Sequence, residues 1–90
     1  MSALGSKEVE KVVSDMAAKS HPKADWRNSV VDLMSVLGID NSMVNRRALA
    51  TELGYTGDLN DSATMNIYLH KAIMEKVAEN GGQVPATLLD

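Results

Sequence analysis

The chain has 90 residues, 44% hydrophobic and 23% charged, with a formal net charge of −3. That length holds one domain, and the balance is that of a folded chain rather than a disordered one. The mild negative charge gives no general attraction to phosphate backbones or anionic lipid, and the lack of cysteine removes disulfides, thiolate nucleophiles and thiolate metal sites.

Residues 1–6 read as a flexible terminus and 7–90 as a single helical domain. The first helix is expected from about Lys7 to Lys19, with Ser6 as its N-cap. Val9, Val12, Val13, Met16 and Ala17 repeat at the spacing of one buried stripe, and Glu8, Glu10 and Lys19 suit the helix dipole. His21-Pro22 breaks it, because a proline disfavours helical geometry at the residue before it.

A second helix is expected over roughly Trp26 to Leu37, capped by Asp25 or by Ser29, the latter with Asp32 three residues on. Val30, Leu33, Met34 and Leu37 share one face, while Val31 and Val36 lie well off it. A helix apolar over most of its circumference belongs inside a bundle. Gly38 is placed to stop it.

The third helix runs from about Ser42 to Leu53, with Asn41 or Asp40 as cap, Met43, Leu49, Ala50 and Leu53 inward, and Gly54 as its stop. A loop rich in turn formers follows, Tyr55-Thr56-Gly57-Asp58-Leu59-Asn60. The fourth helix, about Ser62 to Asn80, is the longest. Met65, Tyr68, Leu69, Ala72 and Ile73 form one stripe; Ile67, Met74 and Ala78 form a second on roughly the opposite side. After Gly81-Gly82, the tail Val84 to Leu89 is apolar enough to fold back, with Pro85 able to open a short helical turn.

No stretch alternates as a strand does. With one Trp, two Tyr, no Phe and six Met, the core is aliphatic and thioether, which suits packed helices. The expected fold is all-α: a compact orthogonal bundle of four helices, with the tail packed back on the last helix.

The residues assemble no recognisable catalytic or metal motif, and no catalytic, cofactor-binding or metal-binding residue is expected. His70 has no second ligand type three or four residues away, and reads as a boundary histidine. The serines include no nucleophile motif, and Asp58 and Asp61 sit where loop acids cap helices. An enzyme would need a polar cleft, with His70, Asp58 and Arg27 the groups to converge. Arg46 projects into the inner arc of the third helix, where it must snorkel or meet a carboxylate such as Asp32 or Asp40. The second and third helices have the outline of a helix-turn-helix, a reading that requires Arg46 and Arg47 outward on one basic face. Trp26 reads as a core anchor first and a partner-binding patch second.

The two-sided fourth helix is the strongest functional hint. Either Val84, Leu88 and Leu89 cover Ile67 and Met74, which is the simpler expectation, or an apolar patch remains exposed for a partner or for self-association. The candidate interaction surface is Trp26, Arg27, Arg46, Arg47, Ile67, His70 and Met74. The expected partner is a protein or a second copy; nucleic acid is disfavoured, and no membrane or small-molecule partner is expected. Without a signal peptide or a span of about 20 apolar residues, the default compartment is the cytoplasm.

From Trp26 to the end, the chain resembles DUF3597, a family of small bacterial proteins of unknown function. The likeness lies in the runs Asp25 to Met34, Leu53 to Asp58, Asn60 to Lys71, Asn80 to Ala86 and Leu88 to Asp90. The resemblance implies a bacterial source and a helical domain, and it supplies no catalytic residue. It also carries a loose association with peptidoglycan binding, which makes a cell-envelope binder the alternative to an interaction or structural module.

Overall fold

The computed structural model describes residues 3–89. It is all-helical: α1 (Ser6–Ser20), α2 (Val30–Leu37), α3 (Met43–Glu52), α4 (Ser62–Glu79) and a short α5 (Ala86–Leu89). Helix α4 is the hub. It contacts α1, α2 and α3, and α1 also contacts α2. Met65, Leu69, Ile73 and Val77, spaced by four, give α4 one stripe with no solvent exposure at all. Around it lie Val9, Val13 and Ala17 of α1, most of α2, and Leu49 and Ala50 of α3.

The starts of α1 to α4 are each set by a side chain that takes up a free backbone N–H. Gly5, not Ser6, precedes α1, and its N–H donates to Glu8 Oε1 at 3.0 Å. Of the two caps expected for α2, Ser29 is the one that forms, later than the hydrophobic pattern suggests. Ser29 is extended, its Oγ accepts from Asp32 N–H at 3.2 Å, and residues 26–28 form a separate turn whose Asn28 and Ser29 N–H groups donate to Asp25 carbonyl. The Asp32 carboxylate reaches past Ser29 and accepts from Asp25 N–H at 2.9 Å. Trp26 therefore sits in that turn, outside the helix.

Ser42 caps α3, accepting from Asn45 N–H. Asp40 supports it by accepting from Ser42 N–H, and Asn41 turns back to α2, donating to Ser35 Oγ at 2.8 Å. Asp61 caps α4 through both carboxylate oxygens, one taking Thr64 N–H and the other its hydroxyl at 2.8 Å. These two bonds favour the charged form and hold the Asp61 carboxyl below the usual aspartate range. Gly38 ends α2 at φ +75°, a left-handed geometry that costs other residues roughly 1–2 kcal/mol. Ile39 then returns to the core as its N–H donates to Met34 carbonyl.

Of the terminus expected over residues 1–6, positions 1 and 2 lie outside the described residues. Leu4 N–H donates to Ala78 carbonyl at 2.9 Å, and the Leu4 side chain packs on the core. The C-terminal tail also packs back, with Leu88 buried. It does so beside Leu53, Gly54 and Lys76, and Lys76 lies about 200° around the helix from Met74. The tail therefore leaves Ile67 and Met74 uncovered, contrary to the simpler expectation. Segment 3–10 and the Trp26 turn flank that side instead.

Candidate functional site

Ile67 is 75% exposed although it stands on the helix that organises the core. Toward the C-terminus of α4, the same stripe becomes the floor of an apolar groove of about 570 Å³, where Met74 and Ala78 meet Leu4, Val9 and Trp26. A second hollow of about 530 Å³ shares Arg27, His70 and Lys71 with the groove and continues to Ile67 and Ala63. Together they follow α4 from Ala63 to Ala78, about 22 Å at 1.5 Å per residue.

The groove wall on the Trp26 side is built from three linked contacts. Trp26 is buried at 7% exposure, as its core reading expects. The Arg27 guanidinium lies 4.3 Å from the centre of the Trp26 ring, a cation–π arrangement, and it pairs with Glu10 of α1. His70 Nε2 bonds the Trp26 carbonyl. A carbonyl only accepts, so Nε2 carries the proton and the imidazole orientation is set. His70 is thus a half-buried boundary residue that ties α4 to the Trp26 turn. Along the other lip, Lys71 and Glu75 are exposed on α4.

The remaining candidate residues lie apart from this groove. Arg46 is half-buried, as its helical phase suggests, but it meets no carboxylate. Its Nε donates to Asn41 carbonyl at 3.1 Å and its Nη1 to Asn66 Oδ1 at 2.9 Å, so it braces α3 against α4. The basic face required by the helix-turn-helix reading is reduced to the exposed Arg47. Arg27 and His70 share the groove, whereas Asp58 does not line it; the Asp58 carboxylate accepts from Asn60 N–H within its own turn. Among the described residues, no group of three His, Cys, Asp or Glu is placed to hold a metal ion.

A tyrosine pair escaped the sequence reading. The rings of Tyr55 and Tyr68 stand 5.2 Å apart, and Tyr68 hydroxyl donates to Leu53 carbonyl at 2.7 Å. Gly57 lies directly under the Tyr55 ring, where a Cβ would come within 2.6 Å of Tyr55 Cζ. The visible signal was a tyrosine two residues before a glycine in a turn, but only the fold brings Tyr68 to it. This cluster fixes the α3–α4 connection and shapes a different side of α4 from the groove.

The fold and site define a small all-α domain with an apolar, ionically edged groove along its central helix. The chain belongs to the family described as Domain of unknown function (DUF3597), whose model matches residues 1–85. The match takes in α1, which the sequence resemblance from Trp26 onward omitted, and leaves out the last five residues. No curated protein and no solved structure gives a significant match. No described helix is long and apolar enough to cross a membrane.

Proposed function

We propose that this domain is a protein-interaction module whose docking face is the outer stripe of α4, from Ala63 to Ala78, with the groove beside it. One observation carries the reading: a helix with a wholly buried stripe at Met65, Leu69, Ile73 and Val77 also presents Ile67 at 75% exposure, next to an apolar groove. Exposed apolar surface bordered by charges is how helical partners are received. The polar side chains support the same reading by their employment. Ser29, Ser42 and Asp61 cap helices, Arg46 and His70 tie elements together, and Arg27 lies on Trp26.

The test is a photo-crosslinking side chain placed at position 67 or at position 44 in the native host. Val44 is 79% exposed on α3 and serves as the control. A discrete adduct from position 67 and none from position 44 supports the docking face, and mass spectrometry names the partner. Equal yields, or none from 67, refute it.

A further inference from the structure

We infer that the occupant of this face is a second copy of the same chain, laid antiparallel on α4 about a two-fold axis beside His70 and Lys71. This rests on the docking-face reading above and adds the identity of the partner. An isologous contact needs a surface complementary to itself, and the outer stripe of α4 meets that condition. The two-fold places Ala63 opposite Ala78 of the second copy, and Ile67 opposite Met74.

Ile67 is a protruding apolar side chain; Met74, two turns further on, lies in the floor of the groove with Leu4, Val9 and Trp26. Antiparallel docking therefore puts each Ile67 into the groove of the other copy, filling both at once. The small residues Ala63 and Ala78 at the two ends let the helices approach. A parallel arrangement would set Ile67 against Ile67 and leave both grooves open.

In the antiparallel register the two Lys71 flank the two-fold, one residue or about 1.5 Å apart along the axis, and each turns outward to a carboxylate. Lys71 lies five residues along the axis from Glu75 of the second copy, about 7.5 Å, within reach of its four-carbon arm. The shared edge reads Glu, Lys, Lys, Glu and is neutral. On the other edge Glu10 and Arg27 already pair within each chain. The net charge of −3 per chain is thus kept off the contact.

The chain has no cysteine, so single-cysteine variants report the register directly. Mixed I67C and M74C are expected to form a disulfide-linked heterodimer under mild oxidation. I67C alone is not, because two copies of position 67 stand roughly 10 Å apart along the axis. A63C mixed with A78C reports the ends of the same register and covers the case in which M74C disturbs the fold. In sedimentation velocity, the wild-type chain is expected to associate reversibly with rising concentration. I67K weakens that association at least tenfold, whereas V44K leaves it within twofold. A monomer at every concentration, homodisulfides of I67C as abundant as the mixed species, or equal effects of I67K and V44K would overturn the self-pair. If the monomer result comes with position-67 adducts on a different protein, the docking face stands and only its occupant is wrong. Absence of adducts removes both.

Discussion

Two isoleucines on α4 offer a direct comparison of its faces. Ile73 has no exposure and Ile67 is 75% exposed, so the same change to alanine removes the same atoms from opposite environments. At Ile73 it deletes buried methyl groups and leaves a cavity, for which losses of about 2–5 kcal/mol are usual. A domain of this size is stabilised by roughly 5–13 kcal/mol in total, and each kcal/mol shifts its Tm by about 4–8 °C. Ile73→Ala should therefore lower Tm by roughly 8–40 °C. At Ile67 little packing is lost in the single chain, and alanine is the better helix former. Its effect should stay within about 0.5 kcal/mol. The assay is urea or thermal unfolding followed by circular dichroism at a few micromolar chain, repeated near millimolar. A cost at Ile67 that appears only at high concentration is the signature of the self-pair. Equal costs at both positions in dilute solution would show that α4 does not have one buried and one open face.

Other consequences follow from local geometry. Gly57→Ala pushes a methyl group into the Tyr55 ring; the ring must swing away from Tyr68, and a loss of about 1–2 kcal/mol with a changed near-ultraviolet tyrosine spectrum is expected. Because the Asp61 carboxyl is held low by Thr64, its contribution is fully present above its unfolded value. It is lost as pH falls through the lower folded value, and in unfolding titrations between pH 2 and 6 Asp61→Asn should remove that component. Removing the exposed Arg27–Glu10 pair by Arg27→Ala should cost no more than about 1 kcal/mol. The same change uncovers one face of Trp26, the sole indole, and should alter its fluorescence.

Helical class, the position of α4 and the stop at Gly38 were legible because they are local. Spacing of apolar residues sets the buried stripe, and a glycine after it satisfies the closing turn. The start of α2 was legible as one of two alternatives: the Ser29–Asp32 spacing marks the cap that forms, but the apolar pattern runs on through Trp26 and could not choose it over Asp25. Phase placed Arg46 inward correctly, yet it could not show that a backbone carbonyl and an amide, rather than Asp32 or Asp40, would receive it. The second stripe containing Ile67 was visible as soon as α4 was drawn as a helix. What flanks that stripe was not, since it depends on Leu4 and Trp26 arriving from distant parts of the chain. The Tyr55–Tyr68 contact is hidden for the same reason.

The most direct measurement is the relaxation of isoleucine and methionine methyl groups by a soluble paramagnetic chelate, read by NMR on dilute protein. Strong broadening at Ile67, partial broadening at Met74 and none at Ile73 or Met65 is the expected result, with Ile67 becoming protected as concentration rises. If Ile67 in dilute solution is as silent as Ile73, the open face along α4 does not exist.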